Sequence, residues 1–107
     1  MALMPSEYYG GDTVTLIKST SATTPQSFSD KDISEYDGFV LSIGANASSV
    51  HGSCYIPKSM IAVFNIFRVP LIASTLSTVG YAEVDFSAKT IQSTSNTYYA
   101  TLYGVKN

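Results

Sequence analysis

The chain has 107 residues, a net charge of −2 and only 13% charged side chains, so it is the size of one domain and offers no basic surface to capture nucleic acid. Its single cysteine, Cys54, excludes an intrachain disulfide framework and any multi-cysteine zinc site. Ser and Thr supply about a quarter of the residues, in place of the Glu, Lys and Arg that favour helices, while Val, Ile, Tyr and Phe suit pleated, half-buried strands.

Residues 1–11 read as a lead-in broken by Pro5 and Gly10-Gly11, and 12–107 as a single domain. The start, Met1 to Ser6, has neither a basic end nor an apolar run, so no cleaved secretory signal is expected. Asp12 to Lys18 alternates and predicts a first strand with Val14 and Leu16 on one face. Ser19 to Pro25 is turn-like. Asp30 to Asp37 has Ile33 and Tyr36 three apart, which suggests one helical turn or a tight corner.

Gly38 to Gly44 is the clearest strand, with Phe39, Leu41 and Ile43 on one face and Val40 and Ser42 on the other. Ala45 to Ser53 reads as a loop, and Cys54 to Ile56 as a short strand ended by Pro57. Met60 to Val69 is apolar on both sides, which predicts a central strand covered on each face; Met60, Phe64 and Phe67 also fit a helical stripe. Leu71 to Thr78 is ambiguous. Gly80 to Ser87 alternates with Ala82, Val84 and Phe86 inward, Lys89 to Ser93 follows a short turn, and Tyr98 to Val105 closes the chain. The expected fold is all-β: an antiparallel β-sandwich, jelly-roll-like or similar, of about seven to eight short strands. The longest apolar stretch is too short and too interrupted to span a bilayer, so no membrane insertion is expected.

Little in this pattern carries chemistry. His51 and Cys54 stand three apart, so on one strand they would point to opposite faces, and neither has companion ligands at a useful spacing. Read without function, they are a loop histidine and a buried thiol packing as a small hydrophobe. Asp30, Asp32, Glu35 and Asp37 cluster within eight residues, yet lack the order of a calcium loop; a solvated corner in which Asp30 or Asp32 caps a turn accounts for them. Asn46-Ala47-Ser48 is a common chance match to a glycosylation acceptor. No catalytic residue, metal site or cofactor is expected. Tyrosine is the enriched candidate, since it supplies rigid amphipathic contact area on binding surfaces, although packing along strand faces also explains it.

Several short stretches, in one order, resemble a domain of bacteriophage and prophage appendage proteins, of the tail-fibre, baseplate or head-fibre type. They are the Ser/Thr-rich strand at Thr13 to Ser21, the corner Phe28-Ser-Asp-Lys-Asp-Ile33, and the strand Glu35-Tyr36-Asp37-Gly38-Phe39-Val40-Leu41. The step Ile56-Pro57-Lys58 and the ending Tyr103-Gly104-Val105-Lys106 complete the set. The resemblance implies a β-sandwich displayed on a virion, commonly a trimer, assembled in the bacterial cytoplasm with other virion proteins. It also implies loops or grooves that touch the host envelope, and it transfers no catalytic residue. Such domains usually end a long fibre chain, whereas this sequence starts with Met, which leads to the expectation of a small stand-alone virion protein.

The function expected is therefore a non-enzymatic virion structural protein with a role in host-surface adhesion, with a stand-alone carbohydrate-binding module as the alternative and a small hydrolase third. Low charge leaves few lysines to block sheet edges, so self-association, most simply as a homotrimer, is expected. Phe64, Phe67, Tyr99 and Tyr103 are the candidate binding or subunit-interface residues. A host cell-surface glycan is the candidate external partner.

Overall fold

The computed structural model describes residues 12–20, 23–44, 51–72, 78–94 and 97–106, with the backbone alone for 12–20, 72, 78 and 79. Eight strands and one short helix follow in the order β1 (Asp12–Thr20), β2 (Gln26–Ser27), β3 (Gly38–Gly44), β4 (Gly52–Pro57), α1 (Lys58–Ile61), β5 (Ile66–Ile72), β6 (Thr78–Asp85), β7 (Thr90–Ser93) and β8 (Tyr99–Lys106). They form two four-stranded sheets, β1-β8-β3-β4 (sheet A) and β2-β7-β6-β5 (sheet B), in which every pairing is antiparallel. The protein is an all-β antiparallel sandwich. Its order departs from a jelly roll: β3–β4, β5–β6 and β6–β7 are hairpins within one sheet, and the chain changes sheets only at the other connections.

The pleat sends alternate residues to opposite faces, and register decides which share a face. Leu41 lies opposite both Cys54 and Leu102, and Phe39 opposite Ile56 and Gly104, so the inner face of sheet A is apolar across three strands. Val84 lies opposite Phe67 and Ile91, and Ala82 opposite Val69 and Ser93, which supplies the facing layer. Phe39, Leu41, Ile43, Leu102, Ile91 and Val84 are all essentially inaccessible to solvent. Each such side chain contributes about 1.5–3 kcal/mol by leaving water. At one end, Phe86 packs against Phe28, Phe39 and Phe67 with ring centroids 6.2, 5.0 and 5.8 Å away.

The run Met60 to Val69 corrects the sequence expectation. It is no covered central strand: Lys58–Ile61 forms a single helical turn, a tight turn follows with Val63 and Phe64 N–H both donating to Met60 O (3.1 and 2.9 Å), and only then does β5 begin. β5 is the edge of sheet B. Pro70 explains the placement, since proline donates nothing to a ladder and is confined to edges and strand starts. The ambiguous Leu71-Ile72 belongs to this strand, and Gln26–Ser27, unassigned from the sequence, is a short edge strand on β7. The lead-in expected over 1–11 and the loop expected over 45–50 lie outside the described residues, as do the side chains of Val14 and Leu16.

Candidate binding surfaces

The two sheets present different outer faces. On sheet B, Arg68 lies opposite Glu83, and Glu83 opposite Gln92. Arg68 Nε donates to Glu83 Oε1 at 2.7 Å, with the guanidinium 4.8 Å from the centre of the Tyr81 ring. This is a solvated face; an exposed pair of this kind contributes at most about 1 kcal/mol.

The outer face of sheet A is built otherwise. Val40 lies between Tyr55 and Tyr103, and Ser42 between Ser53 and Thr101, in two adjacent rows across β4, β3 and β8. Val40 and Val105 are buried, yet stand apart from the core cluster that contains their neighbours Phe39, Leu41 and Leu102. Ser42 and Thr101 are buried as well, while Tyr55, Tyr99 and Tyr103 are half-buried. Among the described residues of β3, β4 and β8, no charged side chain occupies this face. The phenol end of Tyr55 lies against Gly38, in the space a β-carbon there would need. Tyr55 therefore leans across from β4 onto β3, along the plane of the sheet.

A second feature lies on the flank where β4 and β5, the edges of their sheets, meet. A β-carbon on Gly52 would stand 3.0 Å from Pro70 O, so the two edges are in contact. The crossover between them and the start of β5 carry four exposed apolar side chains: Met60 at 39%, Val63 at 70%, Phe64 at 53% and Ile66 at 50% relative exposure. At these exposures they present on the order of 400 Å², about half of what one partner gives to a standard interface.

The four residues singled out from the sequence thus fall in three places. Phe64 is on the flank, Phe67 turns inward against Phe86, and Tyr99 and Tyr103 lie on the outer face of sheet A. Sequence reasoning missed Val63, Ile66 and Tyr55. The alternation Cys54-Tyr55-Ile56 carried the signal for Tyr55, because two inward neighbours force it outward.

His51 is exposed, its N–H donating to Ile43 O at 2.8 Å. Cys54 is half-buried on the inner side of β4, and burial pushes its thiol pKa up against the smaller opposing effect of a backbone hydrogen bond with Leu41. The acidic corner is a pair of tight turns. Asp32 Oδ1 accepts from Ser34 Oγ (2.7 Å) and Ser34 N–H (3.0 Å), and these two bonds hold its carboxyl below the usual carboxylate range. Lys58 Nζ donates to Ser34 O at 2.7 Å, and Lys106 pairs with Glu35 at 3.3 Å. Among the described residues, no three His, Cys, Asp or Glu side chains come together as metal ligands, and no helix is long and apolar enough to cross a membrane. Compared with known proteins, the chain matches no family model, no curated protein and no solved structure.

Proposed function

We propose that this protein is a non-enzymatic structural component of a bacteriophage particle, a tail-fibre, baseplate or head-decoration piece that assembles with copies of itself and with other virion proteins. The observation that carries the reading is the flank of Met60, Val63, Phe64 and Ile66. Large apolar side chains are held in water there by a one-turn helix and a tight turn, beside β5 at the edge of its sheet. Burying such a set against a neighbour is the simplest way to remove it from water, and a closed symmetric assembly does so at every copy. The resemblance of the corner and closing segments to phage appendage domains supplies the particle. Exposure on that particle would bring the outer face of sheet A, which carries Tyr55, Tyr99 and Tyr103, to the host surface.

Light scattering behind size exclusion at micromolar concentration tests the assembly. A homotrimer of the 11.5 kDa chain is expected, reduced to monomer by Phe64→Asp or Val63→Asp. A wild-type monomer unchanged on concentration would overturn self-assembly. Portal, tape-measure or capsid genes on either side are expected; a neighbourhood without virion genes would overturn the particle. A stand-alone carbohydrate-binding module is the second reading, favoured by the tyrosines that share the outer face of sheet A. It requires a monomer.

A further inference from the structure

We infer that the contact between copies continues from the flank across the outer face of sheet B, with Arg68, stacked on Tyr81, as its polar anchor. The inference deepens the self-assembly reading above and rests on it; the occupant is a second copy of this chain. Area gives the first argument. The flank alone presents about half of what one partner contributes to a standard interface, so a stable contact needs about another 400 Å² from surface that adjoins it.

Register shows where that surface lies. Ile66 belongs to the flank and also opens the outer face of sheet B, because Phe67 and Val69 turn inward while Ile66, Arg68 and Pro70 alternate outward along β5. Beside them stand Asp85, Glu83 and Tyr81 of β6, then Thr90 and Gln92 of β7. Ile66, Arg68 and Pro70 are all exposed, and Tyr81 is half-buried. The apolar flank thus runs without a break into a face of mixed character, the arrangement of an interface core and its polar rim.

Arg68 is the residue on this face best prepared to bind. Its Nε donates to Glu83 Oε1 at 2.7 Å and its guanidinium lies 4.8 Å from the centre of the Tyr81 ring, yet its side chain is 57% exposed. Held from two sides, it has little rotamer freedom left to lose on association. The bond to Glu83 engages only Nε, which leaves the N–H groups of both terminal nitrogens to donate to a partner's carbonyl or carboxylate oxygens. Arginine and tyrosine are also the residue types that dominate binding energy at interfaces. Charge does not oppose a second copy here: Arg68 offsets Glu83, and Asp85 is already engaged by the Ser87 and Ala88 N–H groups of its own loop.

The test is light scattering behind size exclusion over a concentration series, with the dissociation constant fitted for wild type, Arg68→Ala, Arg68→Lys, Tyr81→Leu and Ser53→Arg. Arg68→Ala and Tyr81→Leu should each weaken association at least tenfold. Arg68→Lys should weaken it as well, since it keeps the charge but loses the planar fork. Ser53, exposed on β4 of sheet A, is the control, and its arginine variant should associate as wild type does. Each variant is first melted; should Arg68→Ala melt well below wild type, Arg68→Lys carries the comparison. An oligomer that Phe64→Asp dissociates but both Arg68 variants leave intact would overturn this inference alone. Loss of association in Ser53→Arg equal to that in Arg68→Ala would overturn it too, by moving the contact to sheet A. A wild-type monomer at every concentration would overturn self-assembly, and this inference with it.

Discussion

Gly104→Ala is the sharpest perturbation of the packing. Gly104 has no left-handed backbone to explain it; space alone demands glycine. A β-carbon there would stand 2.7 Å from Tyr36 Cδ1 and 2.8 Å from Cγ and Cε1, about 1 Å inside ordinary carbon–carbon contact. The ring has nowhere to retreat. Tyr36 is 6% exposed, its edge meets Phe39 at 6.0 Å between centroids, and Phe39 is itself held by Phe86. Lys106 Nζ stands 5.5 Å from the ring centre. Overpacking of this kind costs about 1–3 kcal/mol. At roughly 4–8 °C per kcal/mol for a domain of this length, a cost of about 2 kcal/mol lowers Tm by about 8–16 °C. Circular dichroism melts of wild type, Gly104→Ala, Tyr36→Ala and the double variant measure it. The double variant should lose less than the sum of the singles, because removing the ring removes the clash. Gly104→Ala melting within a degree of wild type, or strict additivity in the double variant, would refute the reasoning.

Lys89 holds φ at 55° in the loop between β6 and β7, so Lys89→Gly should relieve left-handed strain of about 1–2 kcal/mol against a glycine entropy cost of about 0.5–1 kcal/mol; the net gain raises Tm by a few degrees, and a lower Tm would contradict it. In the same loop, Asp85 Oδ1 accepts from Ser87 N–H (2.9 Å) and Ala88 N–H (3.1 Å), so Asp85→Ala should cost about 1–2 kcal/mol in a urea titration, and an unchanged midpoint would show that these bonds are dispensable. Burial raises the Cys54 thiol pKa. The unfolded chain therefore gives up that proton first, and this contribution to stability falls as pH rises above the usual thiol value; labelling of the folded protein by a thiol reagent near pH 7 should be far slower than in urea, and equal rates would place the thiol in water. Because Asp32 is engaged by Ser34, a chelator should leave Tm unchanged, and a drop of many degrees would mean that the acidic corner holds a metal.

Class and strand faces were legible in the sequence because they depend on local period. The two-residue alternation of Phe39, Leu41 and Ile43 places them together inside whatever the rest of the chain does, and the same holds for Ala82 and Val84. The Asp-rich corner was legible for a similar reason, since its Asp32–Ser34 bonds span two residues. Edge or centre was another matter. Met60 to Val69 has the composition of a strand covered on both faces, but among the described residues only β6 pairs with β5, and the first half of the run is a helical turn and a tight turn instead of strand. The flank is exposed for that reason, and Phe67 turns inward while Phe64 does not. The tyrosine face is a tertiary product as well. Tyr55, Val40 and Tyr103 come from three strands and share a row only through the register of β4 on β3 and β3 on β8. Tyr36 finds Gly104, and Tyr55 finds Gly38, by the same pairing. Period decides which way a side chain points, whereas strand order and register, set by the whole core at once, decide what it meets.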